Sequence, residues 1–279
     1  GVWNAWKAKL LRNLYYSAQE HMAGTSISDA CDNRVARAKE KLKDLLPKWG
    51  DAEMEAHLAK GYDDYWLGYD SSSHAHHASI ISEADDKGYD ITIVDRVDVE
   101  REVSEVVIYT HDHPGVFARI AGAMSLTNAT ILDARISTLA HGMALDTFWI
   151  QDITGGPFIK KERLKRLKER IKDALNGKLQ PSRELKKIRE QTMSTRTRVF
   201  NVPPRVLIDN TVSAKYTVIE VNGRDRLGFL NDATEALTRM GLQIASAHIS
   251  TYGERVVDVF YIKDVFGLRV EHEGKIIQI

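Results

Sequence analysis

An Asp and a Gly three residues later recur at two places where a strand-like apolar pattern changes to a helical one. Asp112 and Gly115 form the first pair, and Asp225 and Gly228 form the second. A helix N-terminus offers unpaired N–H groups and the positive end of the helix dipole, which can hold a carboxylate. The Asp carboxylate can accept hydrogen bonds from an ammonium group, and Gly lets a ligand approach the backbone. This combination suits a small zwitterion such as an amino acid.

The same residues have a purely structural interpretation, in which Asp caps the helix and Gly makes the turn. Loop chemistry alone leaves both interpretations open. The sequence has no Walker loop, no Gly-Xaa-Ser-Xaa-Gly elbow and no Cys/His constellation, so it predicts no catalytic residue. Four further aspartates fall on predicted strands at or near matched positions, and we expect structural roles for them: Asp133, Asp146, Asp258 and Asp264.

The two loops belong to an internal duplication of about forty residues, and such repeats decide the fold. Ile136-Ser137-Thr138 of the first copy matches Ile249-Ser250-Thr251, 113 positions later. After one extra residue in a turn the offset becomes 112, so that Asp146 matches Asp258. Chance does not hold an offset over such a length and change it once, in a turn.

Each copy predicts a strand, a helix and two more strands. In the first copy the strands are expected at 106–110, 130–138 and 144–152, followed by a long helix and a closing strand at 205–208. This βαββαβ order is the ferredoxin-like unit. The second copy predicts strands at 216–221, 243–251 and 256–263 and then a hairpin of strands at 268–270 and 276–279. It lacks the second helix and the last strand, so we expect the second unit to be truncated.

Before the repeats, the apolar spacing is helical, and it changes to a period of two after Gly88. The sequence therefore predicts an α+β protein with three regions: helices at 1–88, a first ferredoxin-like unit with a linker at 89–210, and a second at 211–279. The aromatic residues at 62–69 could form a docking surface or simply cover the helices around them, and we favour the second. His74, His76 and His77 lack neighbours that would complete a metal site, so no metal ligand is predicted.

Composition narrows the possible partners and compartment. Lys+Arg and Asp+Glu each number 39 in 279 residues, so the whole chain has no electrostatic attraction to nucleic acid or membrane. The basic residues at 160–172 could contact nucleic acid, but a solvated face opposite an apolar stripe is favoured. One cysteine, Cys31, excludes an internal disulfide and suits a reducing cytoplasm. No signal peptide and no apolar run of about 20 residues is present. The missing initial Met suggests a fragment of a longer protein.

Several stretches resemble a known family. Residues 111–122, which begin His111-Asp112-His113-Pro114-Gly115, and residues 222–226 are similar to the loops of ACT domains. Residues 131–136 and 243–261 more closely resemble the C-terminal half of the bifunctional uridylyltransferase/uridylyl-removing enzymes. Residues 1–16 resemble the segment that follows the HD domain of that family, so the resemblance spans nearly the whole chain.

The resemblance implies a regulatory region: a helical segment and two ACT domains that bind glutamine as effector. In the family, UMP is transferred from UTP to a tyrosine of the P-II signalling protein and hydrolysed off again. The nucleotidyltransferase and HD domains that do so, and their expected Mg²⁺, would lie outside this chain. The implied partners are glutamine, P-II and those two domains, with a homodimer through the ACT domains as a further possibility. An ACT module for protein interaction or dimerisation, without its own ligand, is the alternative.

The resemblance also implies which residues contact glutamine. They are Asp112, His113, Gly115, Val116, Phe117, Ile131 and Leu132 in the first copy and Asp225, Arg226, Gly228, Phe229, Ile244 and Ala245 in the second. The second loop departs from the family pattern, because Leu227 stands where Pro is usual. Losing Pro frees the backbone before the helix, so we expect the loop at Asp112 to be the better glutamine site. Whether the two ACT domains pair within one chain or between chains stays open.

Overall fold

A computed structural model of the chain describes residues 27–99, 101–192, 204–252 and 255–279. The helix expected at 3–21 lies outside these residues. In chain order the elements are α1 (Ile27–Leu45), α2 (Asp51–Leu58), α3 (Asp63–Gly68), α4 (Ser71–Lys87), β1 (Ile91–Asp98), β2 (Val103–His111), α5 (Val116–Ser125), β3 (Thr130–Thr138), β4 (Met143–Gln151), α6 (Lys161–Leu175), α7 (Pro181–Thr192), β5 (Arg205–Asp209), β6 (Thr217–Arg224), α8 (Phe229–Arg239), β7 (Gln243–Tyr252), β8 (Arg255–Lys263) and α9 (Glu273–Gln278).

The helical region ends where the sequence predicts. Asp70 caps α4 by accepting a hydrogen bond from the Ser73 amide, and Gly88 ends it in the left-handed conformation with φ of 63°. These helices cover one face of the sheet, where Leu42 and Trp66 share a core with Val107 of β2. Trp66 is fully buried, so this ring packs in the core of the helical region and does not form a docking surface.

One antiparallel sheet of eight strands runs through the described part of the chain, in the order β1-β2-β4-β3-β7-β8-β6-β5. Its two halves repeat the same strand order, as the duplication requires. They join through β3 and β7, where Ala134 pairs with Ala247, its own counterpart in the other copy. An approximate twofold axis therefore passes between these two residues. The two ferredoxin-like units of the predicted α+β fold pair edge to edge within one chain.

The strand at Arg205–Asp209 corrects one prediction. It was expected to close the first unit, but β5 pairs with β6 in the second half of the sheet. The outer strand of the first half is β1, which pairs with β2. In both halves the outer strand precedes its partner in the chain by a short connection, and short connections favour antiparallel neighbours. The ferredoxin-like strand order is kept, but each outer strand comes from the N-terminal side of its unit.

The C-terminal residues correct a second prediction, that of a hairpin. Residues 273–278 form the helix α9 in place of a strand. Ile276 and Ile279 pack against the core, while Ile277 between them is exposed. Core contacts three residues apart, with an exposed residue between them, follow the period of a helix. The close spacing of the three isoleucines made this period look like that of a strand. α9 begins 112 positions after the start of α6, so it takes the place of the second helix in its copy.

A second layer of helices covers the other face of the sheet. Phe117 and Ile120 of α5 share a core with Phe148 and Phe260 from the two halves. The basic helix α6 buries its apolar stripe there and turns its lysines outward. α7 is the helical segment expected within the linker. No described helix has the length and apolar character needed to cross a membrane.

Candidate functional site

The first loop leads directly into α5. Gly115 precedes the helix with φ of 88°, a conformation that strongly favours glycine. Asp112 does not cap α5, and no side chain among the described residues does. Its Oδ2 accepts a hydrogen bond from Thr138 Oγ1 at 2.6 Å instead. The capping interpretation is therefore wrong: Asp112 ties the loop to the end of β3 and leaves the helix N-terminus without a side-chain acceptor.

The second loop has the same backbone form with a different set of contacts. Gly228 has φ of 77° and precedes α8, which likewise has no side-chain cap in the described structure. Arg226, a predicted ligand contact, forms an ion pair with Asp232 at 2.6 Å. Its guanidinium also lies 5.6 Å from the centre of the Phe229 ring. Arg226 is thus already engaged by its own helix.

The first loop lies at the interface between the two halves. A β-carbon placed on Gly115 would lie 3.6 Å from Cγ2 of Thr238, near the end of α8. α5 and α8 therefore run side by side in opposite directions. The first loop faces the C-terminal end of α8 and the start of β7 that follows it.

The ligand residues predicted on the strand of each copy lie toward the loop of the other copy. Thr138 pairs with Ala144 beside the first loop, whereas Ile131 pairs with Ile150, roughly 20 Å away along β3. Because β7 runs antiparallel to β3, its start, with Ile244 and Ala245, points to the end of the sheet that carries the first loop. Ile131 and Leu132 lie correspondingly toward the second loop. Sequence reasoning grouped each loop with its own strand, since the interface leaves no local signal.

Leu132 and Ala245 occupy matched irregularities in the two halves. The register of β3 shifts between Ile131 and Asp133, and that of β7 shifts between Ile244 and Ser246. Each bulge therefore leaves one residue out of the ladder at the same place of the repeat. Bulges often re-aim side chains near functional sites. The binding roles of these residues stay predictions.

The helix α7 makes the two loops unequal. A β-carbon on Gly228 would lie 3.1 to 3.5 Å from three atoms of Leu185, a fully buried residue of α7. Arg189 of α7 bonds the Asp232 carboxylate, and Ser182 donates a hydrogen bond to Glu235. The nearest atom that a β-carbon on Gly115 would meet belongs to Thr238 instead. α7 thus packs directly on the N-terminus of α8, a contact that no local sequence pattern indicates.

Below each loop, on the sheet face that α5 and α8 cover, lies a buried carboxyl group. Asp146 of β4 is 1% exposed, and no side chain of the described structure donates a hydrogen bond to its oxygens, although the backbone of Ser137 lies close enough to favour the charged form. Burial raises its pKa well above the usual range, and the negative charge of Asp112 adds to that shift. Burial raises the pKa of Asp258, its counterpart on β8, to about 7, with Asp225 acting in the same direction.

The other two matched aspartates have structural contacts. Oδ1 of Asp133 accepts a hydrogen bond from the Ala134 amide at 2.9 Å. Oδ1 of Asp264 accepts hydrogen bonds from the amides of Phe266 and Leu268, each at 2.9 Å. These two fit the expected structural role. Asp146 and Asp258 differ from them because they face the apolar core. The sequence signal for this difference is an Asp among apolar residues at the same position of both copies.

The histidines of α4 connect the helices to the sheet. His77 is fully buried, with Nδ1 3.4 Å from the Tyr65 hydroxyl and Nε2 3.4 Å from Oγ1 of Thr147 on β4. Burial holds its pKa well below the usual range. Across the described ranges, no group of three or more His, Cys, Asp or Glu residues is arranged to hold a metal ion.

The fold and the loops define the class of protein. Residues 212–279 match the family model of the ACR family N-terminal ACT domain. The first half of the sheet has the same strand order as the second. The chain thus contains an ACT domain within a duplicated ferredoxin-like architecture.

Three relatives resemble the chain along nearly its whole length. The chain is 46% identical over 278 residues to the bifunctional uridylyltransferase/uridylyl-removing enzyme of Rhodospirillum rubrum, and 48% identical over 278 residues to that of Azospirillum brasilense. The enzyme of the same name from Gluconobacter oxydans is 44% identical over 273 residues. The matches cover 96–100% of this chain but only 28–30% of the relatives' length. The chain corresponds along its whole length to a region of these enzymes.

Proposed function

We propose that this chain is the glutamine-sensing regulatory region of a bifunctional uridylyltransferase/uridylyl-removing enzyme that modifies the P-II protein and so controls nitrogen assimilation in the cytoplasm. The ACT domain and the names of the full-length relatives support this proposal. The nucleotidyltransferase and HD domains would perform the chemistry, and this chain would regulate them.

The observation that carries the proposal is the composite site at the first loop. The uncapped N-terminus of α5 suits the α-carboxylate of an amino acid. The exposed Asp112, held by Thr138, suits its ammonium group. Thr238 of the other half lies on the far side of the loop. A small zwitterion would therefore contact both halves of the sheet at once.

This placement gives the ligand a way to act at a distance. A ligand changes a conformational equilibrium only if it binds one arrangement better than the other. One that bridges α5 and the end of α8 favours a single relative position of the two ACT units. The helices packed on the opposite face of the sheet would pass this preference to the catalytic domains.

Calorimetry on the 279-residue chain tests the proposal. We expect glutamine to bind at millimolar concentration or below, with one site per chain, and Asp112→Asn to weaken binding by about tenfold or more, because an ionic hydrogen bond is lost. Asp86→Asn, an exposed carboxyl on α4, is the matched control and should bind as the parent does. Absence of both binding heat and thermal stabilisation would refute a direct glutamine sensor.

One observation favours the alternative, an ACT module for dimerisation. β5 is an outer strand of the sheet, and its Val206 and Leu207 are 42% and 40% exposed. Exposed apolar edge strands can pair with a second chain. Sedimentation of Val206→Lys tests this alternative: a dimer that dissociates in this variant supports it, and a monomeric parent chain excludes it.

A further inference from the structure

The turn between β3 and β4, residues 138–142, contacts the first loop on one side and the helical region on the other. On the loop side, Thr138 Oγ1 donates a hydrogen bond to Asp112 Oδ2 at 2.6 Å. The Asp112 amide in turn donates to the carbonyl oxygen of Gly142 at 3.1 Å. The loop residue that suits the ammonium group of an amino acid is therefore bonded twice to this turn.

The same turn is anchored in the helical region. The Ala140 amide donates a hydrogen bond to the carbonyl oxygen of Lys60, which follows α2, at 2.9 Å. Leu139 is 2% exposed and shares the core of the helical region with Trp66. A displacement of the turn would therefore change a hydrogen bond and an apolar contact of the helical region.

A chain of polar side chains connects the turn to the end of α4. His141 Nε2 lies 2.8 Å from the Tyr109 hydroxyl, which donates a hydrogen bond to Asp85 Oδ1 at 3.1 Å. Asp85 Oδ2 forms an ion pair with Lys60 at 2.5 Å. Burial and the negative charge of Asp85 raise the pKa of Tyr109, so this hydroxyl keeps its proton and stays a donor at neutral pH. The ends of α2 and α4 are thus both linked to the turn.

The turn itself has a defined conformation. The Gly142 amide donates to the carbonyl oxygen of Leu139 at 2.9 Å, and the Leu139 amide donates to that of Met143 at 2.8 Å. Gly142 has φ of 82°, whereas φ is negative at Ala140 and His141. These features define a type I turn followed by a left-handed glycine, a common hairpin connection. Two internal hydrogen bonds let the turn move as a unit.

We propose that the β3–β4 turn couples the first loop to the helical region, so that a ligand bound at Asp112 suppresses local opening at the ends of α2 and α4. This inference rests on the proposed function. A carboxylate has lone pairs for several donors, so Asp112 can accept an ammonium group and keep its bond from Thr138. The ligand then restrains Asp112 and the turn bonded to it, and through the turn the contacts at Lys60 and Asp85. Local opening that involves both sites couples them without a large change of shape.

Amide hydrogen exchange on the whole chain, with and without saturating glutamine, tests the coupling. Slower exchange at residues 112–119 reports binding, and slower exchange at residues 57–60 and 84–89 reports transmission to the helical region. We expect exchange to slow at least about fivefold in all three segments, the lower end of typical coupling between two sites, and to stay within about twofold at β5 on the far edge of the sheet.

The pattern of slowing separates the possible outcomes. Slowing confined to residues 112–119 would overturn the coupling while leaving the glutamine site intact. Equal slowing at β5 would show stabilisation of the whole chain and would also overturn the coupling. Unchanged exchange in every segment would overturn both the glutamine site and the inference.

Ala140→Pro separates the two sides of the turn. Proline is favoured at the second position of a type I turn but has no N–H to donate to Lys60. We expect glutamine to slow exchange at residues 112–119 as in the parent, while the slowing at residues 57–60 and 84–89 falls to within about twofold. Ala140→Ser keeps the N–H at this exposed position and is the matched control. Full transmission in Ala140→Pro, or its loss in Ala140→Ser, contradicts the role of the turn.

Tyr109→Phe tests the polar chain and decides the inference if Ala140→Pro does not fold. The variant keeps the buried ring and removes only the hydroxyl between His141 and Asp85. We expect the slowing at residues 84–89 to decrease by at least about twofold, with residues 112–119 protected as in the parent. Unchanged slowing at residues 84–89 would contradict the proposed coupling.

Discussion

Asn231 of α8 donates a hydrogen bond from Nδ2 to the carbonyl oxygen of Ala118 on α5 at 2.9 Å, and the two residues are counterparts 113 positions apart. The two copies thus contact each other through residues at matching positions. The pairing of Ala134 with Ala247 obeys the same rule on the sheet. Gly122 makes room for this contact, because a β-carbon there would lie 2.7 Å from Nδ2 of Asn231.

Asn231→Ala should destabilise the chain by about 1 to 3 kcal/mol, since a buried hydrogen bond between the two helices is lost. Its side chain is 1% exposed, so water cannot replace the bond. Urea denaturation measures the change. Arg239→Ala, on the same helix but with a 75% exposed side chain, should change stability by less than about 0.5 kcal/mol. Equal effects of the two variants would contradict a special role for the Asn231 contact.

Leu185→Ala should open the second loop to ligand. Leu185 packs on Gly228, and truncation to alanine removes Cγ and Cδ1, two of the three atoms nearest to this glycine. If glutamine binds the first loop of the parent chain, calorimetry should give one site in the parent and approach two in the variant. Lys186→Ala, exposed on the same helix, should leave one site. A stoichiometry of one in Leu185→Ala would mean that α7 does not limit binding at the second loop.

The buried histidines predict a loss of stability in acid. Burial lowers the pKa of His57 from 6.5 to about 4, with Lys60 contributing. Between pH 6.5 and pH 4 the unfolded chain binds a proton that the folded chain does not, so the free energy of unfolding decreases as pH falls. The full effect of this residue is on the order of 3 kcal/mol.

His57→Phe should flatten that pH dependence. The His57 ring centre lies 5.5 Å from that of Trp49, so tryptophan fluorescence can follow unfolding of the helical region at each pH. Part of the slope should remain, because burial also lowers the pKa of His74 and His77. A variant whose profile coincides with that of the parent would show that His57 does not contribute.

Asp258 predicts a pH effect of the opposite sign. Its folded pKa of about 7 exceeds the usual 3.8, so its stabilising contribution is fully present below pH 3.8 and is lost as pH rises through 7. Asp258→Asn removes the cost of burying the charge and should stabilise the chain at pH 8 by about 2 to 4 kcal/mol. The gain should shrink toward zero near pH 4. Thermal unfolding at both pH values measures it, and a variant less stable than the parent at pH 8 would contradict the prediction.

The local pattern was enough for most elements near the site. Alternating apolar residues placed β3 at 130–138, and the structure has it at Thr130–Thr138. The fixed offset between the copies predicted two ferredoxin-like units, the second of them truncated, whereas the structure gives each half of the sheet four strands. Three closely spaced isoleucines misled at 276–279, because so short a stretch does not distinguish a period of two from one of three or four.

The sequence by itself determined the duplication, most of the order of helices and strands and the Asp and Gly of each loop, because these depend on periodicity and on residues adjacent in the chain. Only the tertiary structure decided that β5 belongs to the second half, that each loop faces the other copy's strand, and that Leu185 covers Gly228. It also placed Asp146 beneath the first loop, fully buried and without a side-chain hydrogen-bond partner among the described residues. These features come from contacts between residues far apart in sequence, and a strand's apolar face shows that it is buried without showing which element buries it.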